Sequence, residues 1–218
     1  MNIRTVSVKK DILSANSKKA EENRAILEKH HCLMINIMSS PGSGKTSLIT
    51  SAINRFKDAY GIAVIEGDIA SSIDADRISE LNVQALQINT GGGCHLDANM
   101  VEKALDDLDL DNLDLVFVEN VGNLVCTADF DLGAHKNAVI LSIPEGDDKP
   151  YKYPVIFMEA DVVLINKMDV LPYFDFDLVA FPEIMAGLNP SVVILPVSAK
   201  SGEGLEEWFL WIEQILNQ

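Results

Sequence analysis

The chemistry-bearing residues of this sequence fall into two groups. One is the run Ser39-Ser40-Pro41-Gly42-Ser43-Gly44-Lys45-Thr46, set between the apolar stretch Leu33–Met38 and a helix-forming stretch that begins at Ser47. A buried strand, a glycine-rich turn and a helix start together make an anion site. Successive backbone N–H groups point inward there, and the helix dipole adds positive potential. Gly42 and Gly44 let the backbone approach a phosphate closely. Lys45 then reaches β- and γ-phosphates, and the Thr46 hydroxyl can ligate Mg²⁺. The expected phosphate contacts are Gly42, Ser43, Gly44, Lys45, Thr46 and Ser47. The run departs from G-x-x-x-x-G-K-[ST] at its first position, where Ser39 stands for glycine.

The other group is Cys94-His95 together with Cys126. A thiolate and an imidazole are a soft and a borderline metal donor. Three ligands are one short of a closed structural zinc site, so solvent, another residue or a second protomer must complete the shell. Taken alone, the three read better as buried free cysteines and a helix-capping histidine.

Further polar residues stand where apolar runs end. Asp68 follows Ile62–Ile65 and Glu119 follows Leu115–Val118, and either carboxylate can hold Mg²⁺ directly or through water. Asn166-Lys167-Met168-Asp169, after Val162–Ile165, resembles the guanine-specificity element of GTPases. An aspartate there accepts hydrogen bonds from guanine N1–H and the exocyclic amine, which adenine cannot supply. Ser198-Ala199-Lys200 resembles the loop that closes over the base in the same superfamily, so the expected nucleotide is GTP, with GDP as its product. Glu119-Asn120-Val121-Gly122 occupies the place of D-x-x-G, where Gly122 can bring its N–H to the γ-phosphate. No glutamine stands at the usual water-positioning place, so intrinsic hydrolysis is expected to be slow.

These residues need a frame that brings strand ends together. Seven apolar runs, from Leu33–Met38 to Val192–Leu195, lack polar alternation and alternate with helical stretches, as expected for strands buried on both faces of a mostly parallel sheet. The expected fold is α/β: one doubly wound P-loop NTPase domain with helices on both faces, in which ligands bind at the carboxyl ends of the strands. Residues 33–218 would form this domain. Residues 1–32 would form an arm, with a short strand near residues 3–8 and a helix from Asp11 to about His30. That helix, with Leu13, Ala20 and Leu27 at seven-residue spacing, is expected as an appendage to the fold, available for packing or partner contact. Leu205, Trp208, Phe209, Ile212, Ile215 and Leu216 make one stripe of a packed C-terminal helix.

Composition narrows the function further. A net charge of −16 argues against a nucleic-acid partner, which needs a basic face. No apolar run approaches the ~20 residues of a membrane span. The N-terminus lacks a signal-peptide core, and three cysteines are too few for a disulfide framework. The expected location is cytoplasmic.

Taken together, the motifs resemble the HypB family, the hydrogenase nickel-incorporation GTPases. They are Ser-Pro-Gly-Ser-Gly-Lys-Thr, Gly67-Asp68, Asp74–Ile78, Thr90-Gly91 with Cys94–Ala98, Glu119–Cys126, Phe130–Gly133 and Glu145–Pro150. The resemblance implies a metallochaperone for [NiFe]-hydrogenase. Cys94, His95 and Cys126 would then form a nickel or zinc site at a homodimer interface, opened or closed by GTP. Lys152 of one protomer would approach the phosphates of the other. Implied partners are a nickel-delivery accessory protein and the hydrogenase large subunit. The sequence departs from the family at Asn99, where many members have His, and at Thr127, where many have Pro. It lacks a Cys-x-x-Cys-Gly-Cys element and a histidine tract; His30, His31 and Cys32 are read as helix-end residues packing beside the first strand. Rival readings are a GTPase serving another nickel enzyme such as urease, or a metal-storage module tuned by nucleotide. A small-molecule kinase leaves Asn166–Asp169 unexplained.

Overall fold

The computed structural model describes residues 8–68 and 81–217. In chain order the regular elements are α1 (Val8–Lys29), β1 (Leu33–Ser39), α2 (Lys45–Phe56), β2 (Ile62–Asp68), β3 (Gln84–Asn89), α3 (Ala98–Asp106) and β4 (Leu115–Glu119). There follow α4 (Cys126–Asp129), β5 (Lys136–Ser142), α5 (Lys149–Lys152), α6 (Pro154–Met158), β6 (Val162–Asn166), α7 (Ala180–Leu188), β7 (Val193–Pro196) and α8 (Leu205–Leu216). All seven expected strands form, in one parallel sheet of order β3-β2-β4-β1-β5-β6-β7. The expected strand near residues 3–8 and the Asp74–Ile78 motif fall largely or wholly outside the described residues; only Val8 is described, and it opens α1.

The apolar runs explain the layering. In β1, Ile35 and Ile37 face a cluster built with Leu48, Ile49 and Ile53 of α2 and Trp208 and Ile212 of α8. Met34 faces the opposite side, where Leu27 of α1 and Val101, Ala104 and Leu105 of α3 cover the sheet. Met38 meets Ile156, Phe157, Phe181 and Met185 of α6 and α7. Each such large side chain contributes roughly 1.5–3 kcal/mol through burial. The outer strands β3 and β7 are only partly covered. The expectation of burial on both faces therefore holds for the inner strands.

One local expectation is corrected and another made definite. The helix after Cys94-His95 begins at Ala98, and its N-cap is Asp97, whose carboxylate accepts from the Met100 N–H at 2.9 Å; His95 caps nothing. The N-terminal helix is present as expected, and of the two roles open to it the structure shows packing. Asn16, Ala20, Asn23 and Leu27 are buried, spaced four, three and four residues apart, which is one stripe of a helix.

Candidate functional site

β1 lies between β4 and β5, so the loop after it opens at the crevice where connections diverge to the two halves of the sheet. Gly42 and Gly44 sit at φ 73° and 108°, values that L side chains rarely adopt. A Cβ at Gly44 would also run into the Asn166 amide. The loop carbonyls are turned outward: Asn166 Nδ2 donates to Ser43 O at 2.8 Å, and Lys167 Nζ donates to Gly42 O at 2.7 Å. Because peptide units are planar and trans, the N–H groups of Ser43 and Gly44 then point the other way, into the cradle. Lys45 is buried, with its ammonium donating to Ser39 Oγ at 3.2 Å. The serine that replaces glycine is thus an anchor for the lysine. Ser47 is exposed one residue beyond Thr46.

Thr46 Oγ1 donates to Glu119 Oε1 at 2.9 Å. A hydroxyl and a carboxylate at a helix mouth are the hard oxygen donors that Mg²⁺ takes, so this pair fits that ion. The Asp68 backbone ends β2 beside Asn89 of β3; its side chain is outside the described atoms. Gly122 packs on the same loop so closely that a Cβ would come within 2.9 Å of Pro41 Cα.

The Asn166–Asp169 segment follows β6, and Lys167 takes φ 66°. Asn166 bridges two loops, since its Oδ1 accepts from the Ala199 N–H at 3.1 Å while its Nδ2 holds Ser43. Ser198 Oγ donates to Asp169 Oδ1 at 2.7 Å and accepts from the Ser201 N–H at 3.1 Å. Lys200 Nζ lies 4.0 Å from Asp169 Oδ2. A carboxylate held this way can accept a pair of N–H donors from a base edge.

The structure also brings the second group together. The donor atoms of Cys94, His95 and Cys126 lie within 4.8 Å of one another, and no other group of three such side chains does so among the described residues. Cys94 Sγ is 3.6 Å from His95 Nδ1. The His95 ring stacks on Phe130 at 3.8 Å between centroids. Contact with the Cys94 thiol, then burial, raises the Cys126 pKa. A metal cation reverses that tendency, because it stabilises thiolates directly. Asn123 Oδ1 accepts from the Val125 and Cys126 N–H groups at 2.7 and 2.9 Å and so starts α4. The Thr127 hydroxyl donates to Asn123 O at 2.5 Å. Asn99 is exposed.

Sequence reasoning missed the asparagines that connect these parts. Asn120 Oδ1 accepts from the Leu96 N–H at 3.3 Å and the Val121 N–H at 2.9 Å, and its Nδ2 donates to Asn36 Oδ1 at 3.1 Å. Asn36 in turn donates to Asn137 Oδ1 at 3.1 Å. The signal was present: Asn36 interrupts the apolar run Leu33–Met38. Lys152 is exposed and ion-paired with Asp148, which raises its pKa and lowers that of Asp148. His30 Nδ1 meets Asp111 at 2.8 Å, and Cys32 is buried, its thiol pushed up to about 12 by desolvation.

A parallel sheet centred on a lysine-bearing glycine loop, with base-edge and metal-donor groups on the same rim, defines a P-loop nucleotide-binding protein with a cluster of metal-type donors beside the loop. Residues 33–196 match the family model described as CobW/HypB/UreG, nucleotide-binding domain, and the chain belongs to that family. Within it, the chain is 49% identical over 211 residues to the hydrogenase maturation factor HypB of Azotobacter chroococcum, covering 97% of this chain and 69% of that protein. It is 44% identical over 218 residues to the hydrogenase/urease maturation factor HypB of Helicobacter hepaticus, covering 98% of this chain and 89% of that one. The crystal structure of HypB from Helicobacter pylori in complex with nickel superposes with a TM-score of 0.88 at 42% identity, covering 93% of this chain and 95% of that chain.

Proposed function

We propose that this chain is a GTP-binding, slowly GTP-hydrolysing metallochaperone that assists nickel insertion into [NiFe]-hydrogenase. The observation that carries this reading is the tie between its two sites. Leu96, next to His95, is bonded to Asn120, and Asn120 adjoins Glu119, which is bonded to Thr46. A change at the phosphates therefore has a short, buried route to the metal donors.

In this reading Lys45 and the amides of Gly42, Ser43, Gly44, Thr46 and Ser47 hold the phosphates. Thr46, Glu119 and Asp68 hold Mg²⁺, which would offset phosphate charge when bound. Asp169, Asn166 and Lys167 select guanine, and Ser198, Ala199 and Lys200 close over the base. An adenine would leave the Asp169 carboxylate with unmatched polarity, and such mismatches discriminate strongly. Cys94, His95 and Cys126 take nickel or zinc as cargo, and a second protomer completes the shell. Lys152 approaches the nucleotide of the opposite protomer, so GTP binding and dimerisation favour each other. Residues 33–218 act as the G domain and residues 1–32 as its arm. An accessory protein delivers nickel, the hydrogenase large subunit receives it, and the work is done in the cytoplasm.

The test is a nickel and zinc competition titration, read with the mass in solution, with and without a non-hydrolysable GTP analogue. Metal stoichiometry that changes as the analogue drives dimer formation, and that vanishes in Cys94→Ala, is the expected result. Metal binding indifferent to both nucleotide and Cys94 would sink the reading. A second cargo enzyme, urease, is favoured by the relative named for both roles. Restoring hydrogenase or urease activity in cells lacking their own factor separates the two.

A further inference from the structure

The buried face of α1 contains two asparagines where an apolar helix stripe calls for aliphatic side chains. Asn16 is 4% exposed and Asn23 is 0% exposed. Asn16 Oδ1 accepts from the Ala98 N–H at 2.9 Å, and its Nδ2 donates to Asp131 O at 2.8 Å. Asn23 Nδ2 donates to both Ala98 O at 2.8 Å and Leu132 O at 3.0 Å. Each amide thus bridges the same two segments. Ala98 stands three residues after His95. Asp131 and Leu132 immediately follow Phe130, on which the His95 ring stacks, and α4, which carries Cys126, leads directly into Phe130.

We infer that α1 is a clamp that sets the spacing of the two metal-bearing segments, with Asn16 and Asn23 as its positioning residues. Three further features agree. Gly133 lies so close to the helix that a Cβ there would meet Ala20 O. Arg24 pairs with Asp131 at 3.2 Å and Lys19 with Glu102 of α3 at 2.7 Å, at the two sides of the stripe. Asn23 Oδ1 is buried without a hydrogen-bond partner. Such a group lowers stability, so the position keeps an amide for the two bonds that its Nδ2 makes and not for packing. What the amide supplies is a fixed distance between Ala98 and Leu132. The clamp lies outside the matched nucleotide-binding domain, which begins at residue 33, although the site it braces lies inside.

The inference rests on the metal site proposed above, and its test keeps the two separable. Nickel affinity by competition, the nickel–thiolate absorption spectrum, GTP-analogue affinity and thermal midpoint are measured for the full chain and four variants. These are Asn16→Ala, Asn23→Leu, Cys94→Ala and Leu27→Ala, the last truncating a fully buried residue of the same helix one turn beyond the clamp. The expected result is a roughly tenfold or greater loss of nickel affinity in each asparagine variant, the range seen when groups outside the ligand shell are removed. The spectrum should shift with it, GTP-analogue affinity should stay within about twofold, and Leu27→Ala should lower the midpoint with nickel affinity kept. Asparagine variants that bind nickel as the parent does, while Cys94→Ala does not, overturn the clamp and leave the site. Equal loss in Leu27→Ala overturns it too, by reducing the effect to helix stability. Nickel binding that survives Cys94→Ala removes the site and the clamp together.

Discussion

The nucleotide end and the metal end of this molecule occupy the same rim of the sheet but are built on opposite plans. At the nucleotide end the site's own segments fix one another: the glycines supply the φ values, and Asn166 and Lys167 fasten the loop from the next strand but one. At the metal end the donors sit on a loop and a four-residue helix that meet through side chains alone, the His95 ring on Phe130 and the Cys94 thiol on that of Cys126. Their spacing comes from amides on distant elements, Asn120 on one side and Asn16 and Asn23 on the other. A self-contained site tolerates change around it, whereas a site assembled from outside can be moved from outside. That difference agrees with the proposed role, in which the metal is held as cargo and then released.

The sharpest way to break this comparison is at Asp169. The carboxylate is already held by Ser198, so Asp169→Asn removes charge and acceptor capacity with little change of shape. GTP affinity should fall about 100-fold, given the ~1.5–3 kcal/mol of hydrogen bonds to a charged group. Nickel affinity without nucleotide should hold within about twofold. Isothermal titration of both ligands measures this, and a metal site that weakens along with the nucleotide site would mean that the two ends are not independently built.

The same contrast explains what could be read from the sequence. The strands were legible because apolar runs of β-branched residues have no other home, and the nucleotide segments because their chemistry is local in sequence. Cys94, His95 and Cys126 were visible as donor types, but Cys126 stands 32 positions after Cys94, so only the fold shows the three within 4.8 Å. Asn16 and Asn23 were hidden for a different reason. On a helix stripe marked by Ala20 and Leu27, a buried asparagine looks like an exposed one, and its partners are 75 to 115 residues away.

Asn120 is where the two plans meet, and the next prediction concerns it. Asn120→Ala deletes the acceptor shared by the Leu96 and Val121 N–H groups. If nickel affinity in the parent changes about tenfold with a GTP analogue, within the usual range of coupling between sites, the variant should bring that ratio close to one. Its separate affinities for nickel and for nucleotide should change less than the ratio does. Linkage requires the same loss in the reverse titration, nucleotide with and without nickel. A ratio that survives would place the coupling elsewhere, for instance in the dimer.

The smallest effect belongs to the opposite rim, where His135 Nδ1 accepts the Met34 N–H at 3.0 Å. That bond requires a neutral ring, and burial holds the imidazole below its ordinary value of 6.5, with nearby Arg24 and Lys136 acting in the same direction and Glu28 against it. As pH falls through 6.5 the unfolded chain takes up a proton that the folded chain refuses. Stability is therefore full above that value and declines as the pH approaches the folded-state value. The thermal midpoint of the parent should drop between pH 7 and pH 5.5 by more than that of His135→Asn, which has no titrating group there. At any one pH the two proteins should bind nickel and nucleotide alike, because this rim carries neither site. A nickel affinity that follows His135 would show that the amino ends of the strands reach the metal donors after all, through β1 and the Asn36 bridge, and the outside assembly of that site would extend across the whole sheet.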